Sequence, residues 1–485
     1  MPDGGDAVVP VLIGGRWEEA RATRWADVFN PSRGVRIART PLCGADDVNR
    51  AVTAAAGAFP AWAETPAVER ARVMFRLREL LVREQEALAS LVSREHGKTR
   101  SEARAGVQRG IEVVEFACGL PSLLAGDHVQ NLAPGIDCTA VRHPLGVCVG
   151  ITPFNFPVMV PLWMLPVALT CGNTFVLKPS EKTPLSAIRL AELFHEAGLP
   201  DGVLNVVHGD QECVTALVTH PQVQAISFVG STRVAQAVHE LGTRLGKRVQ
   251  AGGGAKNHLL VLPDADLEVA LSGVLASAFG CAGERCMAGS VVAPIGNGAD
   301  EFVERLCERV GALTVGPTDT GDEPDMGPVI SSEARDRVVG YLAGAEMEGA
   351  RVCADGRRRQ FDTNGFLLGP SVVDAVEPTM RVAREEVFGP LLAVLRAPDL
   401  ETALSGGAAS GFGNGAVLFT RSGPAAREFA RRFPAGMLGI NVGVPAPMAW
   451  FPFAGWNRSF FGDLHMQGVE GMQFYTRQQV IMARW

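Results

Sequence analysis

A cysteine beside an arginine, set in a run of small residues, is a place to look for nucleophilic chemistry. Cys286 lies in Gly283-Glu284-Arg285-Cys286-Met287-Ala288, directly after the loop Gly280-Cys281-Ala282-Gly283. The thiolate is the reactive form, and a neighbouring cation or a helix N-terminus favours it. Cysteine is also a small buried hydrophobe, so spacing alone leaves both readings open. Asn155, in Thr152-Pro153-Phe154-Asn155-Phe156-Pro157, follows a buried apolar run. An amide there can donate to an oxyanion growing on a carbonyl under thiol attack, or merely satisfy its own loop. Lys178 and Glu181, three apart in Lys178-Pro179-Ser180-Glu181, could hold the two hydroxyls of a ribose or sit on a solvated turn. Phe228-Val229-Gly230-Ser231-Thr232 reads as a strand running into a helix, whose first N–H groups could take a pyrophosphate. No GxGxxG is present here, so the usual dinucleotide fingerprint is missing.

The elements that must position these residues alternate between helix and strand. Residues 69–96 carry Val73, Leu77, Leu80, Leu81, Leu88, Leu91 and Val92 on one helical stripe, ended by Gly97. A second helix over roughly 100–118 carries Arg109 and Glu112. Strands are expected at 147–151, 174–178, 203–207 and 225–229, with helices at 187–197 and near 212–219 between them. That alternation implies a parallel sheet with ligands at its carboxyl edge. A second α/β series runs from 259–262 to about 440, with helices near 267–280, 299–312 and 332–348, and the tail turns strand-like at 480–482. The fold class is therefore α/β, with two domains and a cleft between them.

Composition sets outer bounds. The chain has 485 residues, 47% of them hydrophobic and 20% charged, enough for two or three domains. A net charge of −7 with no basic stripe argues against a nucleic-acid partner. The ten cysteines form no CxxC pair and no His/Cys cluster of zinc spacing, so no metal is expected. Free thiols in a large protein and a Met1–Pro10 segment without a signal pattern point to a reducing, cytoplasmic setting. Residues 157–177 are apolar for nearly a membrane span. Pro157, Pro161 and Pro166 and the Gly172-Asn173 turn make them a buried helix followed by a buried strand instead.

Taken together, the motifs resemble the aldehyde dehydrogenase superfamily over nearly the whole chain. Phe154-Asn155-Phe156-Pro157, Lys178-Pro179-Ser180-Glu181, Phe228-Val229-Gly230-Ser231-Thr232, the Cys286 loop and Glu385-Glu386-Val387-Phe388-Gly389-Pro390 stand in family order. The resemblance implies a Rossmann-type NAD-binding domain over 1–125 and 146–254 and an α/β catalytic domain over 255–445. It further implies a small β arm over 126–145 and 446–485 that bridges a homotetramer, a dimer of dimers. Cys286 would be the nucleophile, and Asn155 with the Cys286 N–H the oxyanion hole. Thr152, Phe154, Lys178, Glu181, Gly230, Ser231, Glu386 and Phe388 would hold NAD, with Glu181 disfavouring a 2′-phosphate. Ala235 stands where many relatives have glycine, a change that still permits close packing.

One departure is informative. Hydrolytic relatives carry a Glu-Leu-Gly-Gly-Lys motif whose Glu activates water; this chain reads Gly252-Gly253-Gly254-Ala255-Lys256-Asn257-His258, with glycine at the Glu position. Without that base a thioester should persist until a second thiol, such as coenzyme A, takes the acyl group. The pattern resembles the CoA-acylating methylmalonate-semialdehyde dehydrogenase branch. So do Arg285-Cys286-Met287-Ala288, Arg109-Gly110 before Val113-Val114-Glu115, and the tail from Phe461-Gly462-Asp463-Leu464 to Phe474-Tyr475-Thr476-Arg477. In that branch arginines at the positions of Arg109 and Arg285 are implicated in binding the substrate carboxylate, and Arg285 would favour the Cys286 thiolate. The partners implied are a semialdehyde and CoA, with no membrane. Against this stand a hydrolytic enzyme of broader range, a thiol hydrolase using His258, and a non-catalytic subunit; on its own, Arg109 could simply pair with Glu112.

Overall fold

Strands alternate with helices along the chain, and their pairing builds two separate, mainly parallel sheets. The computed structural model describes residues 7–321 and 323–485. The first sheet runs Arg16–Glu18, Val11–Ile13, Leu204–Val206, Thr174–Lys178, Val147–Ile151, Val223–Val229, Arg248–Gly252 and Phe460–Phe461 across its width. Its five central strands are parallel, and the outer ones antiparallel. By chain order the central five stand third, second, first, fourth and fifth, so the order reverses between Val147–Ile151 and Val223–Val229. A reversal of this kind opens a crevice at the carboxyl ends of the strands. Val147–Ile151 and Thr174–Lys178 are buried at every position, as strands covered on both faces must be.

The second sheet runs Arg351–Ala354, Ser371–Asp374, Leu391–Val394, Gly289–Pro294, Asn257–Val261, Gly415–Phe419 and Met437–Ile440. All neighbours are parallel except the edge strand Arg351–Ala354. Three loops enter this sheet at its amino edge: Gly253–Lys256, the Cys286 loop, and Glu385–Pro390. Carboxyl edge of one sheet and amino edge of the other thus meet across one cleft.

Two expectations change in detail. Residues 69–96 are two helices, Ala67–Arg83 and Gln85–His96, joined at Glu84. The bend lets Leu77 and Leu81 from one half and Leu88 and Val92 from the other reach a single core, and Arg189 pairs with Glu84 at the joint. Gly97 then closes the second helix in the left-handed region, at φ 92°. The strands within 446–485 do not form a single sheet. A three-stranded sheet joins Asp127–Ala133, Ile136–Pro144 and Thr476–Arg484, while Phe460–Phe461 pairs with the first sheet. Met472, Phe474 and Tyr475 are buried in the main core, which holds the preceding residues to the body.

The apolar stretch 157–177 folds as a helix, Met159–Thr170, and the strand Thr174–Lys178. The helix is apolar on every side, as a core helix is. Pro161 falls in its first turn, where no intrahelical N–H bond is lost, and Pro166 lies in its interior. Asn173 completes the turn: its Oδ1 accepts from Leu145 N at 2.7 Å and Gly146 N at 3.1 Å, and its Nδ2 donates to Ala168 O and Tyr475 O. Among the described residues no helix is long and apolar enough to cross a membrane.

Candidate active site

Cys286 is half-buried and lines two cavities at once. The larger, about 830 Å³, is the cleft between the sheets; the smaller, about 190 Å³, is a funnel on the other side. The helix Leu267–Phe279 delivers the Cys286 loop, and Cys281 and Ala282 turn it through φ values of 53° and 52°. Non-glycine residues rarely sit there, so the loop needs external ties. Glu102 supplies one. Its carboxylate accepts from Thr99 N in a capping box and from Cys281 N at 2.6 Å, tying the start of helix Arg100–Cys118 to the loop. Asn257 and Asn414 supply two more, donating from Nδ2 to Cys286 O at 2.8 Å and 2.9 Å. With both amides on one carbonyl, the Cys286 peptide has little freedom to rotate.

Burial dominates the electrostatics. It pushes the Cys286 thiol up to about 12, Glu386 adds to the shift, and the charge of Arg285 opposes it without prevailing. The expectation that Arg285 favours the thiolate therefore holds in sign only. Arg285 donates instead to Ser277 O at 3.0 Å and to Ala276 O, and its Nε is buried without a partner. Arg109 pairs with Glu112 at 3.0 Å, the surface pairing foreseen as the plainer reading, and yet it lines the funnel together with Arg285 and Cys286.

Asn155 is buried at the cleft floor, and its Nδ2 donates to Glu284 O at 2.9 Å, two residues before Cys286. Its loop is held by Thr183 Oγ1, which donates to Phe154 O at 3.1 Å. Thr152 leaves the strand Val147–Ile151 on one flank of the reversal, and Gly230 and Ser231 leave Val223–Val229 on the other. Ser231 precedes helix Thr232–Arg244 without a side-chain cap, so the first N–H groups face the cleft free of that competitor. Lys178 Nζ donates to Gly209 O at 2.8 Å and stands 3.8 Å from Glu181. Phe388 adopts φ 53° and packs edge-on against Phe154 at 5.8 Å. Arg337 fixes that turn by donating to Val387 O and Phe388 O. Glu386 accepts from Ala255 N at 2.8 Å, and burial raises its carboxyl to about 7. The structure thus brings Thr152, Phe154, Asn155, Lys178, Glu181, Gly230, Ser231, Cys286, Glu386 and Phe388 to one cleft.

The three glycines at 252–254 differ in kind. A Cβ on Gly253 would meet Arg458 O at 2.9 Å, and one on Gly254 would run into the Glu386 carboxylate. A Cβ on Gly252 would make only ordinary contacts, nothing nearer than 3.7 Å. Backbone packing calls for glycine at 253, a side chain at 254 would displace the Glu386 carboxylate, and neither constraint acts at 252. Ala235 is fully buried in the core under its helix.

Some residues of the site went unread in the sequence. Glu284 is fully buried, its carboxylate accepting from Ile330 N at 3.1 Å, yet in a sequence an acid beside an arginine looks solvated. Asn257 sat inside a motif that had been singled out for its missing acid. Asn414 has no local signal; it arrives on the turn before Gly415–Phe419. Lys98 is buried with Nζ 3.3 Å from the centre of the Phe156 ring and without a hydrogen-bond partner, a placement no spacing reveals.

A doubly wound sheet whose reversal opens on a cleft lined by a half-buried cysteine is the architecture of a nucleotide-dependent enzyme. The chain belongs to the aldehyde dehydrogenase family, whose profile matches residues 17–481. It is 51% identical over 481 residues to a protein of Geobacillus kaustophilus named malonate-semialdehyde dehydrogenase 1, covering 99% of this chain and 98% of that one. Its structure superposes with a TM-score of 0.97 on methylmalonate-semialdehyde dehydrogenase of Oceanimonas doudoroffii, at 46% identity and covering 99% and 98% of the two chains. An NAD-dependent aldehyde dehydrogenase of Sinorhizobium meliloti aligns with a TM-score of 0.94 at 32% identity, over 99% of this chain and 95% of the other.

Proposed function

We propose that the protein oxidises malonate or methylmalonate semialdehyde with NAD and passes the acyl group to coenzyme A, with loss of CO2. One observation carries this reading. Cys286 forms a floor common to a nucleotide-sized cleft and a small funnel lined by two arginines. The names of the relatives support the substrate class.

The cleft fits NAD on its own features. Thr152 Oγ1 is buried with no hydrogen-bond partner, the helix after Ser231 starts uncapped, and Lys178 and Glu181 stand together at the strand end. Lys178 and Glu181 would hold the adenine ribose, Gly230 and Ser231 the pyrophosphate, Glu386 the second ribose, and Phe154 and Phe388 would flank the ring. Bound NAD supplies the hydride acceptor. The eight-stranded sheet is then the NAD-binding domain, the seven-stranded sheet the catalytic domain, and the three-stranded sheet the arm of a homotetramer. Free cysteines suit a cytoplasmic enzyme.

On the protein side, Cys286 Sγ attacks the aldehyde carbon. The carbonyl oxygen gains charge between Asn155 Nδ2 and the Cys286 N–H, and Asn155 gives up its bond to Glu284 O to receive it. Arg285 and Arg109, the two cations that line the funnel, would hold the far carboxylate. Gly252 offers no base, so the thioester on Cys286 waits for the CoA thiol.

The test is NADH formation from each semialdehyde, with and without CoA, in the wild type and in Arg109→Leu. Turnover should require CoA. Arg109→Leu should lower kcat/KM about 10- to 100-fold for semialdehydes, the loss of one charge-assisted hydrogen bond, and leave propanal unaffected. Free acid forming equally fast without CoA would reject the acylating reading. An equal loss with propanal would reject Arg109 as the carboxylate partner.

A further inference from the structure

We propose that Cys307 and Cys353 form an oxidisable dithiol, a modification site at which a hydroperoxide converts two thiols into one disulfide. Cys307 lies on helix Ala299–Ala312 and Cys353 on the edge strand Arg351–Ala354. Their sulfurs are 2.9 Å apart, with Cys307 donating to Cys353. Among the described residues no other two cysteine sulfurs are in hydrogen-bonding contact. Both side chains are half-buried, so a small oxidant can reach them. Neither lines the cleft or the funnel.

The pair is chemically unequal. Donation from Cys307 lowers the Cys353 thiol below its ordinary value, the charge of Arg351 helps, and Asp374 opposes. Asp374 is itself tied up by Arg351 at 2.7 Å and Arg396 at 2.9 Å. As the acceptor of the Cys307 S–H, Cys353 is the attacking sulfur and Cys307 the resolving one. The Cys353 thiolate attacks one peroxide oxygen; the O–O bond breaks, a proton completes the first water, and Cys353 is left as a sulfenic acid. Cys307 Sγ then attacks Cys353 Sγ. The S–OH bond breaks, the Cys307 proton leaves with the hydroxide as a second water, and the S–S bond forms. Two thiols have lost two electrons and two protons, and one hydrogen peroxide has become two waters.

Geometry also says what the link would do. Among the described residues the strand Arg351–Ala354 pairs with one neighbour, antiparallel to Ser371–Asp374. A bond from it to the helix closes a long loop of the catalytic domain and reduces the freedom of its unfolded chain. Cys286, by contrast, is held up at about 12 by burial. Burial thus opposes thiolate formation at Cys286 in the resting protein.

The experiment treats the full-length protein with graded hydrogen peroxide, alkylates it in denaturant, and maps peptides without reduction. A cross-linked pair of peptides bearing Cys307 and Cys353 should appear at doses that leave Cys286 alkylatable, and Tm should rise by a few degrees. In Cys307→Ser the Cys353 sulfenic acid should instead be trapped by dimedone, with no rise in Tm. If Cys307 and Cys353 both remain alkylatable at a dose that has consumed Cys286, the proposal is overturned. A link that joins either one to a third cysteine overturns it equally.

Discussion

At position 252 a side chain would fit, and none is present. Gly253 is dictated by Arg458 O, and a side chain at 254 would displace the Glu386 carboxylate, whereas Gly252 meets no such constraint. Its glycine therefore bears on chemistry more than on packing. Gly252→Glu should let water compete for the acyl-enzyme and raise the CoA-independent rate by about 10²-fold, the low end of general-base assistance. Release of free acid, followed by a coupled assay without CoA, measures this; no gain would mean the site withholds water by other means. Glu284 makes a different prediction. Burial raises its carboxyl to about 8 from an ordinary 4.5, while Ile330 N, Arg337, Lys182 and Lys98 pull the other way. The folded protein keeps this proton where the unfolded chain has released it. Its contribution to stability is thus fully present below pH 4.5 and is lost as pH rises toward 8. Glu284→Gln should flatten Tm across that window, and an unchanged slope between the two proteins would count against the assignment. Cys286, Asn155, Lys178 and Glu181 were legible because motif order identified them. Glu284 and Lys98 were not, because burial is a property of the whole fold.

Among the elements, those whose apolar pattern was strongest were read best. Strands such as Val147–Ile151 and Thr174–Lys178 are buried throughout and sit where continuous apolar runs placed them. The bend at Glu84 escaped notice because Ala67–Arg83 and Gln85–His96 share one apolar stripe; only the core they both face shows that the axis turns. The position of Cys286 was half legible. Strand–helix alternation points to carboxyl edges, and the nucleotide side of the cleft obeys that rule. The Cys286 loop comes instead to the amino edge of the second sheet, a place set by which sheet faces which. Nothing local encodes that choice.

Across the whole molecule, the three-stranded sheet stands out for what it leaves uncovered. Val480, Ile481 and Met482 on Thr476–Arg484, and Val129 and Leu132 on Asp127–Ala133, are all exposed. Apolar side chains on an arm of this kind suit burial against another copy of the chain. Replacing Val480 and Met482 with Lys together should reduce the mass in solution, as measured by light scattering, with the monomer fold retained by circular dichroism. An unaltered mass would place the contact elsewhere.

The two cavities that meet at Cys286 also impose an order in time. The funnel, at about 190 Å³, has room for a short acid, and only the cleft of about 830 Å³ can admit a carrier the size of a nucleotide. Two such carriers must then use one doorway in turn. On the proposed reading the reduced dinucleotide has to vacate before the CoA thiol can reach the carbonyl carbon of the Cys286 thioester, and the protein alternates between a free and an acylated form. Initial rates plotted against either co-substrate should give parallel lines, and NADH should appear in a burst when CoA is withheld. Intersecting lines would mean that both carriers are accommodated together.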